Sequence, residues 1–166
     1  LAFALAGCAG LTESDCAGAD WGQMGYRDGA AGNGPRRIET HRKACAAYGI
    51  EVDAYSYGAG YEQGLASYCT PQNAVRAGLA GSHYGGVCPG QAGLMFDSYY
   101  RAGRVVHEQR RRVGVLEHER REIKQAMADA ATDEARKGLR GQLHRLDRAL
   151  LVEMDRLRQL ELRLFY

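Results

Sequence analysis

Five cysteines carry the clearest chemistry in this 166-residue sequence, and their positions divide them into two groups. Cys8 follows an apolar run at the start of the chain, whereas the other four are widely spaced between residues 16 and 88. A thiol can act as a nucleophile, a disulfide partner or a metal ligand, and its surroundings decide which. Cys8 and the remaining four cysteines therefore need separate interpretations.

The first eight residues are apolar or small and end in Leu5-Ala6-Gly7-Cys8. A bilayer-spanning helix needs about 20 apolar residues, so this segment fits the end of a secretory signal peptide better. Its last four residues resemble a lipobox, in which the cysteine thiol accepts lipid and the residues before it are removed. We expect residues 1–7 to be cleaved and Cys8 to be anchored by several acyl chains, each worth about 0.8 kcal/mol per buried CH₂. An ordinary cysteine in a buried helical turn is the alternative.

The other four cysteines, Cys16, Cys45, Cys69 and Cys88, form an even set, as expected for disulfides in an exported chain. Cys45 and Cys69 would lie near opposite ends of a helix about 27 Å long, too far apart to be bonded. We favour Cys16 with Cys45 and Cys69 with Cys88, although four cysteines allow three pairings. A zinc site is the competing interpretation, since His41 stands four residues before Cys45.

A recurring pattern places glycine three positions after an aromatic or apolar residue, so that both lie on one helix face. It occurs at Tyr26–Gly29, Tyr57–Gly60, Tyr61–Gly64, Val75–Gly78 and Tyr100–Gly103. We favour tight helix packing, in which glycine lets a neighbouring backbone approach and the ring covers the gap. The alternative is a ligand or partner surface lined by the aromatic rings of Trp21, Tyr26, Tyr57, Tyr61 and Tyr100.

Glycine and charge divide the chain into two parts. Residues 1–100 hold 18 of the 22 glycines and 6 Lys/Arg against 9 Asp/Glu, whereas residues 101–166 hold 16 against 11. Capping residues and prolines predict four helices in the first part: from Thr12 through Tyr26, from Pro35 to Tyr48, from Asp53 to Cys69, and a short one from Thr70. We therefore expect residues 8–95 to form a small helical head.

From Phe96 onward the sequence has the heptad pattern of long helices. Apolar residues follow two seams, at Tyr99, Ala102, Val106, Val113, Leu116, Ile123, Met127 and Ala130, and at Leu139, Leu143, Leu146, Leu150, Leu157, Leu160 and Leu164. Gln109, Arg120 and Glu153 interrupt them, and Thr132 caps the second segment. The predicted fold is all-α, with residues 96–166 forming an antiparallel, coiled-coil-like hairpin. The alternative is one helix of about 65 residues that dimerises in parallel.

Several short motifs together resemble a family of short Gram-negative bacterial lipoproteins classed as a domain of unknown function, over residues 1–105. They are Leu5-Ala6-Gly7-Cys8, Cys16, Asp20-Trp21, Gly25-Tyr26-Arg27-Asp28-Gly29, His41-Arg42-Lys43-Ala44-Cys45, Tyr68-Cys69-Thr70-Pro71, Asn73 and Gly85-Gly86-Val87-Cys88-Pro89. The resemblance implies disulfides and a lipid-anchored location. With Ala9 after the cysteine, it implies the outer membrane, facing the periplasm. It implies no activity.

No motif indicates catalysis or a bound cofactor. The serines lack a nucleophile-elbow context, the histidines lack metal-binding spacing, and no phosphate-binding glycine loop follows a strand. The basic clusters Arg110-Arg111-Arg112 and Arg120-Arg121 lie among acidic residues, which favours a solvated helix face over binding to acidic lipids or envelope polymers, and we expect no nucleic-acid partner. We therefore expect a non-catalytic envelope lipoprotein that is structural or binds a protein partner. The alternative is a small-ligand or glycan-binding module that uses the head.

Overall fold

The computed structural model describes residues 11–165, and over this range the protein is all-α, as predicted. Its helices are α1 (Glu13–Ala17), α2 (Trp21–Ala30), α3 (Arg37–Ala46), α4 (Ala54–Tyr68), α5 (Pro71–Ala80), α6 (Gly90–Asp129) and α7 (Asp133–Phe165). Within residues 11–165, no helix is both long and apolar enough to cross a membrane.

The single helix predicted from Thr12 through Tyr26 is in fact two helices. Thr12 caps α1 in a capping box with Asp15, but α1 ends at Gly18. Asp20 then caps α2, because its carboxylate accepts a hydrogen bond from the Gln23 amide at 2.9 Å. A capping side chain satisfies amides that the first helical turn leaves free, so each of these residues starts a helix.

The chain forms two compact units. One, the head unit, contains residues up to Asn73 together with His83–Asp97, and the other, the hairpin unit, contains Ala74–Ser82 together with Ser98 onward. The boundary after Asp97 lies close to the one predicted near residue 96, but residues 74–82 belong to the hairpin unit, where α5 packs against α6.

In the head unit, α2 and α4 pack backbone to backbone. A Cβ atom at Gly25 would overlap the Tyr57 carbonyl oxygen, and one at Gly29 would overlap that of Tyr61. Both contacts advance in the same direction along the two helices, so α2 and α4 run parallel. Only glycine permits this approach, and its cost in helix propensity, about 1 kcal/mol per residue, is offset by the close packing.

Two disulfides close the head unit in the predicted pairing. Cys16 is bonded to Cys45 and Cys69 to Cys88, each with Cα atoms 5.6 Å apart. All four cysteines are buried. The zinc site considered as an alternative is excluded, because the Cys45 sulfur is in a disulfide.

The hairpin unit begins with a similar glycine crossing, between α5 and α6. A Cβ atom at Gly78 would overlap the Tyr100 carbonyl oxygen, and one at Gly103 would approach that of Val75. In the head unit, a Cβ atom at Gly60 or Gly64 would likewise overlap the carbonyl oxygen of Gly22 or Tyr26. All five glycines of the recurring pattern thus lie at helix crossings, which confirms its interpretation as tight packing.

Helices α6 and α7 then form the predicted antiparallel hairpin. Val106, Val113, Leu146 and Leu150 are buried along its seam. Two residues that interrupt the apolar pattern meet there, since Gln109 Nε2 donates hydrogen bonds to the backbone oxygen and to Oε2 of Glu153, at 2.9 and 2.6 Å. The break at residues 130–132 excludes the single long helix.

Candidate functional site

A buried polar cluster in the head unit centres on Asp28 of α2. The Oδ2 atom of Asp28 accepts hydrogen bonds from His41 Nε2 of α3 and from the Tyr57 hydroxyl of α4, both at 2.7 Å. The Oδ1 atom accepts one from Asn33 Nδ2 at 2.9 Å. Arg37 Nε lies 3.8 Å from Oδ1. One carboxylate thus ties three helices together.

These hydrogen bonds fix the protonation of the cluster. Burial by itself raises the pKa of Asp28, but the hydrogen bonds from His41, Tyr57 and Asn33 outweigh it and hold the pKa below its usual value of 3.8. Burial, reinforced by the hydrogen bond to Asp28, raises the pKa of the Tyr57 phenol. At neutral pH Asp28 is therefore an anion and Tyr57 a donor.

An aspartate hydrogen-bonded to a histidine can also position that histidine as a general base in catalysis. A histidine in that role must be accessible to a substrate, so the exposure of His41 matters. His41 is 8% exposed and is flanked by the rings of Trp21 and Tyr57, at centroid distances of 6.5 and 5.8 Å. Among residues 11–165, no serine, threonine or cysteine is hydrogen-bonded to His41. The geometry is that of a structural cross-link.

The aromatic residues proposed as a binding surface are not found together on the exterior. Trp21, Tyr57 and Tyr61 are buried, and the Tyr61 hydroxyl donates to the Asn33 carbonyl oxygen at 2.6 Å. Packing of α4 on α2 turns these rings inward. Tyr100 belongs to the hairpin unit, where its hydroxyl donates to the Ser82 carbonyl oxygen. Of the five, Tyr26 remains substantially exposed in the head unit.

Tyr26 lines a depression of about 540 Å³ beside the crossing of α2 and α4. Tyr55, which the sequence had not singled out, stands at the same depression and is 88% exposed. The amides of Gln23 and Gln63 also line it. Aromatic faces beside amide groups can stack on a sugar ring and bind its hydroxyls, so the depression is a small candidate site in the head unit.

A longer feature, the hairpin groove, follows one side of the seam between α6 and α7. It consists of three adjoining depressions: the first two share Glu108 and Arg112, and the last two share Val105 and Leu160. The full lining comprises Ala102, Arg104, Val105, Val106, Glu108, Gln109, Arg111, Arg112, Val115, Leu116, Glu153, Arg156, Leu160, Arg163 and Leu164.

Both acidic residues in this lining are already engaged. Glu108 accepts a hydrogen bond from Arg104 at 2.8 Å and lies 3.8 Å from Arg111. Glu153 accepts a hydrogen bond from the Gln109 side chain. Three arginines of the groove, by contrast, form no ion pair with any residue that the structure describes; they are Arg112, Arg156 and Arg163. The lining holds five arginines against two glutamates, so the groove combines apolar side chains with a net positive charge.

Sequence reasoning had found neither the cluster nor the groove. The sequence offered His41 as a zinc ligand and as part of a family motif, and Arg112 as part of a basic cluster, but neither pattern joins these residues to their neighbours in the fold. Asp28 and Tyr57 are 29 residues apart, and no local pattern links them. Cys8, the predicted lipidation site, lies outside the described residues.

A family model described as "Protein of unknown function (DUF2799)" matches residues 20–105, just over half of the chain. This confirms the predicted domain of unknown function. No curated protein and no solved structure matches the chain.

Proposed function

The chain belongs to the DUF2799 family of unknown function, and for this member we propose a non-catalytic role as a lipid-anchored module of the cell envelope. Its lipid is attached at Cys8, its head is held by disulfides, and its hairpin binds a protein partner in the periplasm. The outer membrane is the proposed site of anchoring.

The observation that carries this proposal is the distribution of exposed apolar side chains. Of twelve large apolar side chains exposed among residues 11–165, seven lie on the hairpin of the hairpin unit. These are Tyr99, Val105, Val115, Leu151, Val152, Met154 and Leu162. The seam between α6 and α7 is already filled by buried side chains of the hairpin itself. The exposed apolar residues therefore favour contact with another molecule.

Two features support the compartment. Disulfides persist in oxidising compartments such as the periplasm, and the head unit contains two of them. The lipobox-like segment ending at Cys8 would provide export and anchoring together. Neither feature requires catalysis.

Binding of a partner protein is tested with single substitutions in the full chain. Truncation of the tail is a poor test, because residues 74–80 of α5 belong to the hairpin unit and pack against α6. We expect a protein recovered with the detergent-extracted wild type to be lost with Val115→Glu, since Val115 is 64% exposed in the hairpin groove. The matched control is Tyr48→Glu, at an exposed apolar residue of the head unit.

Two results would contradict this assignment. Undiminished recovery with Val115→Glu would remove the hairpin groove from the binding surface. Loss with Tyr48→Glu alone would place the partner on the head unit instead.

A second candidate function is glycan binding at the head-unit depression. It is favoured by Tyr26 and Tyr55 standing beside Gln23 and Gln63. Purified soluble peptidoglycan fragments should then bind the wild type, as measured by calorimetry, and Tyr55→Ala should reduce the affinity. If no fragment binds, or if Tyr55→Ala has no effect, this candidate is excluded.

A further inference from the structure

We propose that the occupant of the hairpin groove is an acidic amphipathic helix of the partner protein. This inference rests on the proposed function and specifies the chemistry of its binding site. The helix would lay its apolar face on the groove and pair its carboxylates with Arg112, Arg156 and Arg163.

The length of the groove fits a short helix. Along α6 the lining extends from Ala102 to Leu116, which corresponds to about 21 Å at 1.5 Å per residue, or roughly four turns of a partner helix. Two packed helices present a seam into which side chains of a third can insert. Val105 and Val115, both at least half exposed, offer apolar contacts along that seam.

The charges favour an acidic helix over a lipid headgroup. Arg156 and Arg163 are seven residues apart on α7, so they share a face and are separated by about 10 Å. Arg112 adds a third cation from α6. A lipid headgroup concentrates its negative charge at one point. Two carboxylates two turns apart on a partner helix would instead be spaced about as far apart as Arg156 and Arg163. Complementary charges of this kind set orientation and partner choice.

The test uses the full chain carrying Cys8→Ser and a synthetic probe. The probe is a 14-residue helical peptide with leucines on one face and glutamates on both flanks, and binding is measured by fluorescence anisotropy. We expect it to bind the wild-type groove with an affinity that falls as salt is raised. The same peptide with lysines in place of glutamates should not bind.

A matched pair of double variants identifies the binding surface. Arg156→Glu with Arg163→Glu should weaken binding of the acidic probe by about tenfold or more, because two attractions become repulsions. Arg121→Glu with Arg148→Glu makes the same change in net charge at exposed arginines outside the groove, and should change the affinity by less than about twofold. Equal weakening by both pairs would overturn the proposal.

Other occupants give distinct results, and each would overturn it. Binding to phosphatidylglycerol vesicles but not to the acidic probe would assign the groove to a lipid surface. A concentration-dependent dimer lost with the groove pair would assign it to a second copy of this chain. If partner recovery is lost with Val115→Glu while the probe fails to bind, the proposed function stands and only the acidic helix is wrong. If the probe binds but recovery of the partner is unaffected by Val115→Glu, the proposed function fails.

Discussion

At the scale of single residues, the Asp28 carboxylate is the feature on which the head unit most depends. It accepts hydrogen bonds from His41, Tyr57 and Asn33, and so joins α2 to α3 and α4. A buried carboxylate is stabilising only while its partners remain, and removal of one partner exposes the full cost of the other's burial.

Replacement of Asp28 by alanine should therefore lower the free energy of unfolding by about 3–5 kcal/mol, because buried donors on His41 and Tyr57 lose their acceptor. Urea unfolding with the disulfides intact measures the change. Glu51→Ala, at an exposed residue of the head unit, is the control and should alter stability by less than about 0.5 kcal/mol. If Asp28→Ala lowered the free energy of unfolding no more than Glu51→Ala, the cluster would not stabilise the fold.

The Asp28 carboxylate should also contribute to the loss of folding stability in acid. The pKa of Asp28 is lower in the folded protein, so its contribution to stability is fully present above the usual value of 3.8 and is lost as the pH falls through the folded pKa. The acid-induced loss of stability should be shallower in Asp28→Asn, which retains no titrating group there.

At the scale of helices, glycine determines how closely the elements pack. Gly60 lies against the Gly22 carbonyl oxygen, whereas Gly58 on the same helix has no atom near the position of a Cβ. We expect Gly60→Ala to destabilise the head unit by at least about 2 kcal/mol, since a methyl group would force α2 and α4 apart.

Gly58→Ala is the matched control for this effect. It should be neutral or stabilising by up to about 1 kcal/mol, because alanine is the better helix former and meets nothing. Thermal unfolding of both variants measures the contrast. If both lower the melting temperature equally, close backbone contact is not what the glycines provide.

The hairpin offers a second prediction at this scale, at the contact between Gln109 and Glu153. Gln109→Leu alone should cost about 1–3 kcal/mol, because the half-buried Glu153 loses its donor. Adding Glu153→Leu should restore most of that loss by completing the apolar seam. A double-mutant cycle by urea unfolding measures the coupling, and simple additivity of the two changes would contradict the observed pairing.

The elements could be predicted from the sequence wherever the signal was local. Caps at Thr12 and Asp53, and the heptads after Phe96, are contained within a few turns and were recovered. The first helix was mispredicted because Asp20 was not recognised as a cap. Gln109 and Glu153 were identified as interruptions of the seams, but their pairing across 44 residues required the fold.

At the scale of the whole molecule, the binding features were harder to predict than the fold. The sequence left open a binding surface at Trp21, Tyr57 and Tyr61, which the fold buries, because a sequence pattern places residues on a helix face without saying which neighbour covers that face. The hairpin groove was missed for a related reason. Its cations become significant only once α6 and α7 show which of them lack acidic partners.

The proposed anchoring is tested by intact mass spectrometry of protein extracted from membranes. We expect a chain that begins at lipidated Cys8, and Cys8→Ser should release the protein into the soluble fraction, because acyl chains supply the membrane affinity. A chain that retains Leu1 and carries no lipid would contradict the proposal.

The central claim, that the hairpin binds a partner, is tested most directly by the size of the particle extracted from envelopes in mild detergent. Sedimentation should show the wild type in a complex heavier than one lipidated chain, and the pair Arg156→Glu with Arg163→Glu should sediment as a single chain. The pair Arg121→Glu with Arg148→Glu should retain the heavier complex. A wild type that sediments as one chain, or a groove variant that keeps the heavier complex, would contradict the account.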